Sequence, residues 1–274
     1  MKIAIVTAQG LGDAIILQIA AHQLAIHGHE TALYSPHRLG SFFPTAKYTD
    51  DLEEFDAIFL QHDNSKQAKQ IHAMAKTVYT FYGSYLYEKH GPLRKGFDYV
   101  SDLNLPMVDN VVIALKQLFA IPATSDNGLQ APKHLIHRKF KNRVAIHPTS
   151  GDPKRNWQPK KFLKVAKWLE KEGYHPVFLP QFPHLDELFS FLYESAYFLG
   201  NDSGPGHLAS CMNIPHLIIG KDEKHMRHWR PGWRQGSVIT PSPLFPRKLK
   251  KQFWKHLITT KSVIKSFKNN ILPN

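Results

Sequence analysis

The chain has 274 residues, of which 42% are hydrophobic and 21% charged, a balance that excludes a disordered tail and allows one large or two ordinary domains with real cores. The single cysteine, Cys211, rules out an intrachain disulfide, and without an apolar run of 18 residues no membrane-spanning helix is expected. A net charge of +13 favours an anionic partner such as nucleotide phosphates, an acidic membrane surface or nucleic acid.

Met1-Lys2-Ile3-Ala4-Ile5-Val6 is too short an apolar stretch for a secretory signal and reads as a first strand, so a cytoplasmic protein is expected. A glycine-bearing turn follows at Ala8 to Gly12, then a helix from Asp13 to Ile26 stopped by Gly28. Strands are predicted at 31–34, 57–60 and 77–81, with a polar helix from Ser65; 82–102 reads as loop, 108–118 as helix and 121–132 as linker. The pattern then restarts. Strands at 143–147, 175–179, 196–199 and 216–219 alternate with helices at 159–172, at 185–194 and from Pro205, and the chain ends in one or two basic helices. This alternation is the mark of βαβ units and parallel sheets, here two in tandem, with ligands expected beyond the carboxyl ends of the strands.

Three segments carry chemistry. In the first, a buried strand leads into Gly200-Asn201-Asp202-Ser203-Gly204-Pro205-Gly206-His207. A helix start offers unpaired N–H groups to a diphosphate; Ser203 and His207 add donors, and Gly204 and Gly206 permit close approach. An ordinary capped strand-to-helix turn explains the same residues about equally well. In the second, Gly10-Leu11-Gly12-Asp13 lacks the third glycine of a dinucleotide fingerprint. Asp13 reads either as a helix cap or as a general base at the top of the first strand. In the third, the loop His147 to Trp157 supplies Thr149, Ser150, Lys154 and Arg155 as phosphate donors, or is simply solvated. The histidines in 27–29 and 225–228 have no partner ligands at a useful spacing, so no metal site is expected.

Taken together and in this order, the segments resemble the heptosyltransferase family of lipopolysaccharide biosynthesis, glycosyltransferase family 9. Asn201 to Ala209 looks like its N-D-[ST]-G-x-x-H-L-A stretch, 147–157 like its phosphate loop, and 10–13 like its N-terminal G-x-G-D. The resemblance implies an α/β GT-B fold with two Rossmann-like parallel-sheet domains facing a cleft. These would be an acceptor-side domain at 1–132, a nucleotide-sugar domain at 133–245 and basic C-terminal helices at 246–274 crossing back to the first domain. It also implies an inverting, metal-independent transfer, usually from ADP-heptose to a glycan or lipid-linked acceptor, with no cofactor beyond the nucleotide sugar. Asp13 would be the catalytic base; Thr149, Ser150, Lys154, Arg155, Asp202, Ser203, Gly204, Gly206 and His207 would bind the donor diphosphate. Gly10, Gly12, Tyr82, Arg94 and Lys95 fall on the acceptor side. One departure is plain. Only about twenty residues separate the strand at 177–179 from the 201–209 stretch, so a βα unit there is reduced or lost. An inactive relative that keeps the nucleotide pocket is therefore the alternative reading.

The tail from Arg247 to Lys268 interleaves lysines with apolar residues at helical spacing. It reads as a helix packed on the body, and also as a site of peripheral contact with an anionic membrane at the inner face. No nucleic-acid motif accompanies the charge, and the incomplete glycine fingerprint counts against a nicotinamide-dependent oxidoreductase.

Overall fold

Short strands, the central ones buried on both faces, form two parallel sheets in the computed structural model, which describes residues 1–233 and 236–272. The chain divides into two compact units, Met1–Gln130 and Ala131–Asn274. The last two residues of the 246–274 segment lie outside the described residues.

The first unit contains strands β1 (Lys2–Val6), β2 (Glu30–Tyr34), β3 (Ala57–His62), β4 (Thr77–Tyr82) and β5 (Asp98–Val100), in the order β2-β1-β3-β4-β5. All neighbours are parallel. The helices are α1 (Leu11–Ile26), α2 (Lys66–His72), α3 (Tyr87–His90) and α4 (Met107–Phe119). Ten residues of α1 are buried, Gln23 among them. Gln23 accepts from Thr124 N (2.9 Å) and donates to Asp126 O (3.0 Å), which ties the linker to the helix. The stretch 82–102, expected to be loop, contains α3 and β5. With only Tyr99 buried among its three residues, β5 shows no apolar period. It is held instead by Arg94, which reaches the Asp98 carboxylate at 2.7 Å, Val78 O at 2.8 Å and Thr80 Oγ1 at 3.0 Å.

The second unit contains β6 (Phe140–His147), β7 (His175–Phe178), β8 (Ser195–Asn201), β9 (His216–Ile219) and β10 (Ser237–Ile239), in the order β10-β9-β8-β6-β7. Its helices are α5 (Pro159–Lys171), α6 (Leu185–Tyr193), α7 (Gly204–Cys211), α8 (Glu223–Trp229), α9 (Arg247–Leu257) and α10 (Thr260–Asn270). Between β7 and β8 the chain makes one short crossover through α6. Strand β10 and helix α8 are additions to the sequence-based assignment.

Both C-terminal helices contribute to the core of this second unit. Trp254, Ile258, Val263 and Phe267 pack with Trp157 and the sheet residues Val144, Ile146 and Leu199. Trp157 is fully buried and donates from Nε1 to Ile258 O at 3.1 Å. Lys161 Nζ gathers the carbonyls of Lys255 (2.7 Å) and Ile258 (2.8 Å), which the end of α9 leaves open. Replacing Trp157 by Phe leaves Ile258 O paired with Lys161 but opens a cavity. A loss of about 1–3 kcal/mol is expected in a urea melt. No helix among the described residues is long and apolar enough to cross a membrane.

In each unit the strand order reverses beside the first strand: between β1 and β3 in one, and between β6 and β8 in the other. In open parallel sheets a crevice for ligands forms at the carboxyl ends of the strands flanking such a switch point.

Candidate functional site

The segments singled out in the sequence occupy these two switch points. At the first, the chain leaves β1 through Thr7 to Gly10 and enters α1, with the half-buried Asp13 in the first turn. Asp13 Oδ1 accepts from Gln61 Nε2 at 2.5 Å, and Gln61 Oε1 accepts from Ala8 N at 3.0 Å. One amide from the end of β3 thus locks both the turn and the carboxylate. A Cβ built at Gly10 would lie 2.5 Å from Asp13 Oδ2, so the glycine there makes room for the acid. Burial raises the Asp13 pKa above the ordinary carboxylate value; hydrogen bonds from Gln61 and the Gly10 backbone pull the other way without cancelling it. The result is a positioned carboxylate of strengthened basicity.

Gly12 is half-buried in the same turn, and Lys95 is exposed. Tyr82 is buried, its phenol pushed up to about 12 chiefly by burial. It packs against His62 and His90, both with ring centroids at 5.1 Å, so it builds an aromatic wall at the ends of β3 and β4. Arg94 spends its guanidinium on the β4–β5 edge described above.

At the second switch point, the loop after β6 meets the loop after β8. Asn201 clamps the two: its Nδ2 donates to Pro148 O (2.6 Å), and its Oδ1 accepts from Trp157 N (2.9 Å). His147 Nδ1 lies 3.0 Å from Ser203 Oγ, and its Nε2 lies 3.2 Å from Thr149 Oγ1. Ser203 Oγ donates to Asn201 O, so His147 suits the tautomer protonated at Nδ1. Burial lowers the His147 pKa to about 4, and the ring is neutral. Ser203 makes no side-chain cap to α7, and Pro205 occupies the first turn. The helix start therefore keeps its partial positive charge uncompensated by its own cap residue.

Asp202 is buried, and its Oδ2 accepts from Arg155 Nη1 (3.1 Å) and His225 Nε2 (3.0 Å). Burial alone would raise its pKa. The His225 bond and the neighbouring His207 and Arg155 outweigh that and leave it below the usual range, an anion that fixes Arg155 in place. Arg155 sits on a short 3-10 turn, Pro153–Arg155, capped by Asp152, and its side chain is 38% exposed. Lys154 and Thr149 are exposed beside it. Ser150 Oγ lies 2.8 Å from Asp152 O and 2.6 Å from Asn156 Oδ1, which shapes the loop.

Two residues expected at a ligand turn inward. Gly206 is buried, its N–H donates to Ser203 O at 3.0 Å, and a Cβ there would meet Ile218 Cδ1 at 2.8 Å. This glycine gives close packing of α7 on β9. His207 is buried and held neutral, its pKa lowered to about 4 by burial, and its Nδ1 has no hydrogen-bond partner. Gly204 remains at the half-buried start of α7. A cavity of about 120 Å³ opens next to that start, walled by Leu179, Phe182, Leu188 and Pro205 with His147 and His184 at its edge. Among the described residues, no group of three or more His, Cys, Asp or Glu could hold a metal ion.

No protein-family model and no curated protein matches the chain in sequence. Solved structures do match in shape. ADP-heptose lipopolysaccharide heptosyltransferase II of E. coli superposes with a TM-score of 0.70 at 16% identity, covering 99% of this chain and 98% of its own. E. coli heptosyltransferase WaaC with ADP gives 0.66 at 12% identity, covering 98% and 100%. A family 9 glycosyltransferase from Veillonella parvula gives 0.62 at 16% identity, covering 98% and 97%. The chain has the heptosyltransferase fold.

Three residues at the two switch points have roles that the sequence reading does not assign. Gln61 is a polar residue closing an apolar strand, a signal open to reading. Asn201 lies in the 200–207 turn and clamps two loops. His225 comes from α8, and no local pattern links it to Asp202.

Proposed function

We propose that this chain is an inverting, metal-independent glycosyltransferase that takes a sugar, heptose in the first instance, from an ADP-linked donor to a glycan or lipid-linked acceptor. The observation that carries the reading is the chemistry held at the two switch points. One holds a carboxylate of raised pKa, and the other an anion-seeking helix start with Arg155 and Lys154. Asp13 takes the proton from the acceptor hydroxyl as its oxygen attacks the anomeric carbon. The bond to the diphosphate breaks, and the leaving group gains negative charge. Arg155, Lys154 and the Gly204 N–H at the start of α7 meet that charge without reorganising. Attack from the face opposite the diphosphate inverts the anomeric centre. The small apolar cavity beside α7 receives part of the nucleoside. ADP is favoured because WaaC, of the same fold, has been solved with ADP. A cytoplasmic location follows from a nucleotide-sugar donor.

A thermal-shift panel tests the donor. ADP and ADP-heptose should raise the melting temperature and NAD should not; a ligand at a hundred times its Kd adds about 2.7 kcal/mol. Chelation by EDTA should leave the rate unchanged, and the product anomer, read by NMR, should be opposite to the donor's. NAD-selective stabilisation would overturn the reading. The single short crossover through α6 favours one competitor, a nucleotide-diphosphate binder without activity. Stabilisation by ADP-heptose with no turnover on any acceptor would select it.

A further inference from the structure

A second basic feature of the Ala131–Asn274 unit takes no part in that chemistry. Beyond the carboxyl end of β9, a cavity of about 590 Å³ is lined by Lys221, Asp222, Glu223, Lys224, Arg227, Arg247 and Lys250. Its acids are already engaged. Asp222 accepts from His225 N (2.8 Å) and caps α8, and Glu223 pairs with Arg227 at 2.9 Å. Among the described residues, Lys221, Lys224 and Arg247 carry no ion pair, and Lys250 Nζ lies 3.4 Å from Pro243 O. Five cations and two carboxylates thus line one concave space, which leaves it with an excess of positive charge.

Alongside it runs an apolar edge. Leu244 is 92% exposed, and Phe245, Leu249 and Phe253, spaced four residues apart, are 38%, 42% and 42% exposed. Leu244 and Phe245 precede α9, and Leu249 and Phe253 lie on it, with a kink at Phe253; the same helix buries Trp254, but the outer residues stay in water. Large apolar side chains held in water cost free energy unless something covers them. Here they flank a positive cavity on an unusually basic segment. Water-facing aromatics beside lysines match the interface of an anionic bilayer, where apolar groups enter the acyl boundary and cations meet lipid phosphates.

We propose that this edge docks on an anionic membrane surface, with the Lys221–Lys224–Arg247–Lys250 cavity holding lipid headgroup phosphates and Leu244, Phe245, Leu249 and Phe253 inserting beside it. The proposal stands independently of the transfer reaction.

Sedimentation of the full chain with vesicles tests it. Phosphatidylcholine vesicles alone should retain little protein, and vesicles containing phosphatidylglycerol should retain most of it at low salt and much less at high salt. Lys224→Glu/Arg247→Glu should weaken that binding roughly twenty-fold or more, at about fivefold per removed cation. Leu244→Ser/Phe245→Ser should weaken it independently, while leaving binding of inositol hexakisphosphate, a soluble polyanion, unchanged. Circular-dichroism melts confirm that the variants fold. Three outcomes would overturn the proposal. The first is no preference for phosphatidylglycerol. The second is polyanion binding in solution with no vesicle binding, which makes the cavity a soluble-phosphate site. The third is self-association abolished by the serine variants with vesicle binding intact, which makes the edge a contact between copies.

Discussion

Replacing Arg155 with alanine is expected to lower kcat/KM for an ADP-linked sugar by roughly 10²–10³-fold, the scale of losing one preorganised donor to developing charge. The substitution does two things. It removes the cation proposed to meet the departing diphosphate, and it takes from Asp202 one of the two partners that offset its burial. A buried carboxylate left half-paired drags on the loop it anchors, so some loss of stability should accompany the loss of activity. Arg155→Lys separates the effects. Lysine keeps the charge but not the planar fork that reaches Asp202 with one nitrogen while presenting others outward. Steady-state kinetics with a urea melt on both variants should show alanine impaired in rate and stability, and lysine intermediate in rate. Full activity in Arg155→Ala would remove this loop from the donor site.

Asp13→Asn should lower turnover by about 10²–10⁴-fold, the usual worth of a positioned general base, while donor affinity stays within a few-fold of wild type. The amide keeps the size and the contact with Gln61 but accepts no proton. The pH profile adds a signed test. The proposed base works only when ionised, and burial raises its pKa, so the acid limb of kcat/KM should lie above the ordinary carboxylate range. Gln61 donates to the charged form and so lowers that pKa. Gln61→Leu should therefore move the acid limb further up and depress the rate at neutral pH more than at alkaline pH. That dependence marks Gln61 as a positioning residue; a variant that was merely less stable would lose activity evenly across the profile.

Much of the fold was legible because parallel strands buried on both faces are written as apolar runs. β1, β3, β8, β9 and the second half of β6 are of this kind. The switch-point turns stood out for the same reason: Gly10 to Asp13 and Asn201 to Gly204 interrupt apolar runs with residues suited to tight turns. β5 and β10, three residues each, carry too few positions to show a period, and β5 depends on an Arg94–Asp98 contact that pattern alone does not announce. The candidate site was legible as a set of segments and less so as a set of roles. Gly206 and Gly204 look alike in sequence, yet one faces Ile218 and the other sits at the helix start. His207 is adjacent to a ligand turn in sequence and buried under it in space. His225 joins Asp202 across 23 residues, a pairing that exists only in the folded chain. Local chemistry can be read residue by residue, whereas the direction a side chain faces is settled by packing.

The account turns on transfer, and the release of ADP measures it directly. Purified protein should be incubated with ADP-heptose in the presence and absence of a lipopolysaccharide-core acceptor, wild type beside Asp13→Asn, with free ADP followed over time. The prediction is ADP release that depends on the acceptor in the wild type and falls to near background in the variant, although both bind the donor. Equal release from the two proteins, or an intact donor bound by a wild type that never turns it over, would contradict the account.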